Sequence, residues 1–209
     1  MSVIVPAILE SDAEAFHRAV ETVSAFSDLL HIDLADGRFV PNKTISLDEL
    51  KNAEPQKTYR VHLMYDQPEH VLQKIEKLRA ECIIIHAEAT HNLRAVVEAI
   101  RACGKKVGVA LNPETPLSAM QPIADILSFV LFMAVKPGFQ GSPFMPDVIR
   151  KIADFQKNFP GVTIGIDGAM NKETIPLIKP LKIANIVVGS AIIKQADPAA
   201  AFRELTQLT

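Results

Sequence analysis

Eight short apolar runs, each followed by a stretch of helical spacing, constrain the fold of this chain more than any other feature. The runs are Val3 to Ala7, Leu29 to Leu34, Tyr59 to Met64, Cys82 to His86, Lys106 to Leu111, about Ile126 to Ala134, Thr163 to Asp167 and Ile186 to Gly189. All are apolar enough to be strands covered on both faces. Helix signals fill the gaps. Ser11-Asp12-Ala13-Glu14 reads as a capping box ahead of Phe16, Ala19, Val20 and Val23, and a second helix is expected over Leu47 to Ala53. Pro68 opens a third, with Val71, Leu72, Ile75 and Leu78 inward, and a fourth carries Leu93, Val96, Val97 and Ile100 and stops at Gly104. A short helix follows Thr115-Pro116, and Ser142-Pro143 caps one with Met145, Val148, Ile149 and Ile152 on one side. Another short helix covers about Lys172 to Ile178, and Asp197-Pro198 starts the last, which buries Phe202 and Leu205.

This alternation predicts a parallel (β/α)₈ barrel, a TIM barrel, and 209 residues is near the lower size limit of that fold. One domain spanning residues 1–209 is expected. A doubly wound open sheet would use the same alternation. It is disfavoured because polar residues recur at the carboxyl ends of strands spread over the whole chain, and a closed barrel gathers those ends.

Four of those polar residues matter most. Alternate side chains of a strand share a face, so His31 and Asp33 point together while Leu30, Ile32 and Leu34 point the other way. By the same rule His62 shares a face with Met64, and Asp167 with Thr163 and Gly165, while Val61, Leu63, Ile164 and Ile166 face the helices. Each group taken alone has a plain structural reading, a hydrogen-bonded core histidine or a strand-ending Asp-Gly turn. Together, two neutral imidazoles and two carboxylates coinciding at strand ends would bind Zn²⁺ or a related divalent ion, with charges cancelling and a position left for a substrate oxygen. His86 joins Ile84 on one face of its strand. It and Glu88 could line the pocket or serve a structural role behind it. His17, His70 and His91 read as surface residues.

The bulk numbers exclude several classes. A net charge of -2 with scattered lysines and arginines does not suit nucleic acid. Two cysteines, Cys82 and Cys103, suit reduced thiols in a cytoplasmic protein better than a disulfide framework. The amino terminus has no signal-peptide pattern, and no apolar run reaches the roughly 18 residues of a membrane span, so no membrane partner is expected.

Several segments, in order, carry a family resemblance: Pro6-Ala7-Ile8-Leu9, His31-Ile32-Asp33 with Asp36-Gly37-Arg38-Phe39-Val40-Pro41-Asn42, Val61-His62-Leu63-Met64, Ala110 to Pro116, Val135 to Gly141, Ile166-Asp167-Gly168 and Gly189-Ser190-Ala191. They resemble the signature segments of ribulose-phosphate 3-epimerases. The resemblance implies a divalent metal, usually zinc with iron, manganese or cobalt as substitutes, and interconversion of D-ribulose 5-phosphate and D-xylulose 5-phosphate, an activity of the pentose phosphate pathway. It implies His31, Asp33, His62 and Asp167 as metal ligands, with Asp33 and Asp167 also the acid and base. It further implies substrate contacts from His62, Met64, Met133, Gly138, Phe139, Gln140 and Gly141. Phosphate contacts are expected from Gly168, Ala169, Gly189 and Ser190, at the loops where such barrels commonly hold phosphate. A homo-oligomer is expected from the same source.

The chain departs from that pattern at four places. Ala7 stands for a serine, Ala35 for a methionine, Lys136 for an asparagine and Ala169 for a glycine. Ala35, in phase with His31 and Asp33, is expected to face the site, and its small side chain implies a roomier pocket. Lys136 reads either as an extra phosphate cation or as a solvated loop lysine. Two alternatives follow: a 3-epimerase of six-carbon ketose phosphates such as allulose 6-phosphate, and a non-catalytic sugar-phosphate binder. A decarboxylase of the same barrel type would carry Asp-x-Lys-x-x-Asp near the third strand, and Val61-His62-Leu63-Met64 lacks it.

Overall fold

In the computed structural model, which describes residues 2–139 and 141–209, the eight apolar runs are strands that pair in parallel and in chain order. They are β1 (Val3–Ile8), β2 (Leu29–Ala35), β3 (Thr58–Met64), β4 (Cys82–His86), β5 (Lys106–Leu111), β6 (Phe129–Met133), β7 (Thr163–Asp167) and β8 (Asn185–Val188). β8 pairs with β1, with Val3 opposite Asn185, and this closes the barrel. The helices are α1 (Ala13–Ser24), α2 (Leu47–Asn52), α3 (Leu72–Lys77), α4 (Leu93–Ala102), α5 (Asp147–Asn158), α6 (Ile175–Ile178), α7 (Ser190–Ile193) and α8 (Pro198–Thr206). The TIM barrel read from the alternation is the fold observed. Among the described residues no helix is long and apolar enough to cross a membrane.

The strand period of two divides the buried residues into two shells. Outward-facing Leu30, Ile32, Leu34, Val61, Leu63, Ile164 and Ile166 pack under the helices with Phe16, Leu50, Ile75, Ile100, Ile152 and Phe155. Each fully buried Leu, Ile or Phe there contributes about 1.5–3 kcal/mol of transfer free energy. The inner shell is smaller and holds Ala7, Cys82, Ile84, Ala110, Leu131, Met133 and Val187, with Phe129 at its floor. Gly108 and Gly165 make room for that ring: a Cβ on either would stand 2.4 or 2.9 Å from it.

The helical details depart from the pattern in instructive ways. Asp12, not Ser11, caps α1 and accepts from the Ala15 N–H at 2.9 Å. A full capping box does occur, at Ser46 and Glu49 ahead of α2. α5 starts at Asp147, later than the Ser142-Pro143 signal, because the Met145 N–H is held by the Ala134 carbonyl at the end of β6. Between β5 and β6 the connection is a 3₁₀ segment, Leu117–Ile123, with Pro122 inside it. α4 ends as expected, with Gly104 just beyond it at φ 75°.

Candidate active site

β2, β3 and β7 deliver four side chains to one point at the carboxyl end of the barrel. Parallel register sets Asp33 opposite His62 and Met133 opposite Asp167. One ligand atom from each of His31, Asp33, His62 and Asp167 lies within 4.8 Å of all the others, so the group can hold one metal ion. His62 Nδ1 is 2.8 Å from Asp33 Oδ1 and 3.7 Å from Asp167 Oδ2. His31 Nε2 lies 3.2 Å from Asp33 Oδ1, yet among the described residues it has no hydrogen-bond partner of acceptable geometry. A buried imidazole nitrogen left without a partner beside two carboxylates is the arrangement a divalent cation would complete.

Burial and charge push the two carboxylates apart. For Asp33, burial alone would raise the pKa, but His31 and His62 outweigh it and hold the group below the usual carboxylate range. Asp167 is pushed up, first by burial and then by the Asp33 charge beside it. His31 is desolvated, which would lower it, but the adjacent carboxylates raise it overall.

Behind the cluster stand His86 and Glu88. His86 is fully buried; its Nε2 is 2.8 Å from His62 Nε2, its Nδ1 is 3.3 Å from Glu88 Oε2, and Phe39 packs over it with ring centroids 4.7 Å apart. Burial pushes His86 down to about 4, so it is neutral. Burial alone would raise Glu88, but its bonds to His86, Thr115 and the Asn112 N–H outweigh this and lower it. Of the two readings open for this pair, the geometry gives the one behind the pocket.

A cavity opens over the cluster. Of the residues expected there, Asp33, His62, Met64, Met133, Gly138, Phe139, Gly141, Asp167, Gly168, Ala169, Gly189 and Ser190 line it, and so does Ala7. Gln140 lies outside the described residues. His31 sits beneath the cavity floor, 1% exposed. Ala35 does not line the cavity as expected; it packs against Val40 and Met64, which cover it. Lys136 pairs with Glu114 at 3.1 Å, both exposed, and is absent from the lining. Sequence reasoning missed Leu9, Val135, Met170 and Asn171. A signal for Asn171 was present: Asn-x-x-Thr is a turn motif, and its Oδ1 accepts from the Glu173 and Thr174 N–H groups.

Two loop contacts shape the rim. Gly168 (φ 107°) comes so close to Val135 that a Cβ would stand 2.5 Å from it, and Ala169 follows in the left-handed region at φ 54°. The Thr174 hydroxyl donates to the Ala169 carbonyl at 2.7 Å and holds that residue. Across the mouth, the Asn42 amide donates to the Gly138 carbonyl at 2.7 Å, and Val40 fills the space a Gly138 side chain would need.

Comparison with known proteins gives a consistent result. The model of the ribulose-phosphate 3-epimerase family matches residues 3–193. The chain is 35% identical to the ribulose-phosphate 3-epimerase of Bacillus subtilis strain 168, over 97% of each chain. It is also 33% identical to the cytoplasmic isoform of that enzyme from Oryza sativa subsp. japonica, over 93% of this chain and 89% of that one. Among solved structures it is similar to KGPDC from Streptococcus mutans, with TM-score 0.75, 14% identity and 100% and 97% of the two chains covered. It is similar too to 3-hexulose-6-phosphate synthase from Salmonella typhimurium, with TM-score 0.74, 15% identity and 99% and 97% covered. At such identities these two structures speak to the fold.

Proposed function

This chain belongs to the ribulose-phosphate 3-epimerase family and is an epimerase, and on that premise we propose that it inverts carbon 3 of D-ribulose 5-phosphate to give D-xylulose 5-phosphate, with Asp33 and Asp167 as its acid and base. The observation that carries the reading is the convergence of these two carboxylates, from β2 and β7, on one cavity floor.

Inversion next to a carbonyl needs a proton removed from one face and another delivered to the opposite face. Two carboxylates sharing one proton meet that need. The ionised aspartate takes the carbon 3 proton, leaving a flat ene-diolate, and the protonated one returns its own from the other side. Each turnover leaves the shared proton on the opposite member of the pair, so the reverse reaction uses the same groups in exchanged roles. The opposed shifts of Asp33 and Asp167 fit a pair that carries one proton between two oxygens. A divalent ion held by His31, Asp33, His62 and Asp167, with zinc the first candidate for two imidazoles and two carboxylates, would polarise the carbonyl and stabilise the charge that develops on it. Met64 and Met133 supply an apolar wall that keeps water from the reacting carbon. The loops at Gly168–Ala169 and Gly189–Ser190 receive the substrate phosphate at the other side of the cavity, on backbone N–H groups.

One observation favours a second substrate. Ala7 lines the cavity with no side chain beyond Cβ, which leaves space for a longer sugar such as allulose 6-phosphate. The test is purified protein with measured metal content, assayed on both sugars and for solvent deuterium uptake at carbon 3. Strong preference for the pentose removes the second reading. Absence of deuterium uptake with metal bound refutes the epimerase mechanism and leaves a sugar-phosphate binder.

A further inference from the structure

α5 begins shortly after a wall of the cavity. Gly141 and Ser142 line the cavity, the Ser142 hydroxyl donates to the Phe139 carbonyl at 3.4 Å, and Pro143-Phe144-Met145-Pro146 then leads into the helix at Asp147. Both prolines have φ fixed by their rings, Phe144 packs against the core, and the Met145 N–H is held by the Ala134 carbonyl at 2.8 Å. The connection is stiff, so a displacement of α5 is carried to Ser142 rather than absorbed on the way.

Two kinds of contact locate α5. Val148, Ile152 and Phe155 are buried beneath it, and burial of this kind is non-directional. Lys151 supplies the directional contact. Its ammonium donates to the Asn112 carbonyl at 2.6 Å and to the Pro113 carbonyl at 3.1 Å, in the turn that follows β5. That turn is itself fixed: the Asn112 carbonyl also accepts the Thr115 N–H at 3.2 Å, and the Asn112 N–H donates to Glu88 Oε1 at 2.9 Å. Lys151 is half-buried. Burial pushes it down to about 8 while Glu88 and Glu114 pull the other way, so at pH 7 it is an ammonium.

We propose that Lys151 is a positioning residue for substrate binding: by joining α5 to the turn after β5, it holds the cavity wall at Phe139, Gly141 and Ser142 in the place where the ketose phosphate binds. The proposal rests on reading the cavity as a ketose-phosphate site and adds what keeps one of its walls in register. Lys136 reaches the same turn through Glu114 but does not share the role, because that pair is exposed at both ends and contributes little.

The chain has no tryptophan, so Phe139→Trp places a single fluorophore on that wall. In the full-length protein at pH 7, adding Lys151→Gln to this reporter is expected to lower its fluorescence anisotropy. Without the reporter, Lys151→Gln is expected to raise KM for D-ribulose 5-phosphate by about tenfold, the size set by one hydrogen bond from a charged group, and to leave kcat within about twofold of the wild type. An unmoved KM, a kcat that falls as far as KM rises, or an unchanged anisotropy overturns the proposal. Pro143→Gly with Pro146→Gly, both at exposed positions, loosens the connection and leaves the Lys151 contacts alone. The same direction of change in KM is expected there, and if Lys151→Gln does not fold, an unmoved KM in this variant overturns the proposal. Wild-type protein that turns over no ketose phosphate refutes the functional reading instead, and the anisotropy of the reporter still decides what Lys151 holds.

Discussion

β3 offers two polar side chains to the barrel interior, Arg60 near its start and His62 near its end, and their surroundings differ in kind. The Arg60 guanidinium donates to Asn185 Oδ1 at 3.1 Å, lies 3.5 Å from Glu81 Oε2 and sits over the Phe129 ring. Just outside the same end of the barrel, Glu54 accepts from the Tyr59 hydroxyl at 2.7 Å and from the Arg79 guanidinium at 2.8 Å. These charges find their partners within the chain. At the His62 end, two carboxylates crowd together and one imidazole nitrogen has no partner among the described residues. One end of the barrel is built to be complete on its own, and the other is complete only with something added. That contrast is what separates the stabilising face of a (β/α)₈ barrel from its reactive face.

The strongest way to break the contrast is Asp167→Asn. Turnover of D-ribulose 5-phosphate is expected to fall by about 10²–10⁴-fold, while the metal-free protein melts no lower than the wild type because a buried like-charge contact is gone. Steady-state kinetics and a thermal scan check the two halves together.

Metal removal comes next. Chelation is expected to abolish turnover, and restoring zinc at about a hundred times its dissociation constant should raise stability by about 2.7 kcal/mol, read from denaturant titrations with and without the ion.

At the complete end, Glu54→Gln should cost about 2 kcal/mol of stability and leave turnover at the wild-type value. Burial alone would raise the Glu54 carboxyl, but Arg79, Tyr59 and Lys51 outweigh it and hold it at about 2, against 4.5 when free. Because the folded value is depressed, the wild-type advantage over the variant is present in full above pH 4.5 and is lost as the pH falls toward 2. An advantage that persists unchanged through that window would show that the charge is not what stabilises.

Ala169→Gly should relieve the left-handed backbone of a residue with a Cβ and stabilise the chain by about 1 kcal/mol, seen as a rise in melting temperature. The smallest effect belongs to Lys136→Ala, which removes an exposed pair with Glu114. Stability should change by less than about 0.5 kcal/mol and KM should stay the same; a large rise in KM would restore the phosphate-cation reading.

The strands were legible because each is an apolar run, and the convergence of His31, Asp33, His62 and Asp167 was legible because strand alternation and strand ends are local properties of the sequence. Contacts made by loop tips were not. Ser11 and Asp12 are both good caps, and nothing local decides between them. The start of α5 depends on a hydrogen bond from Met145 to Ala134, which a neighbouring strand supplies. Ala35 was in the right phase to face the cavity, but Val40 and Met64 cover it, and only the fold of the following loop reveals that. For His86, alternation gave the direction of the side chain without saying which atom of which neighbour it would meet.

The bond from Asn42 to Gly138 ties the turn beyond the second strand to the turn beyond the sixth. The threshold a guest molecule crosses is thus built from the same piece of backbone that carries His31 and Asp33. A side chain at 138 would collide with Val40, so descendants of this chain should change positions 40 and 138 together or not at all, whereas the tie from Asn42, made to a backbone carbonyl, outlasts a change at 138.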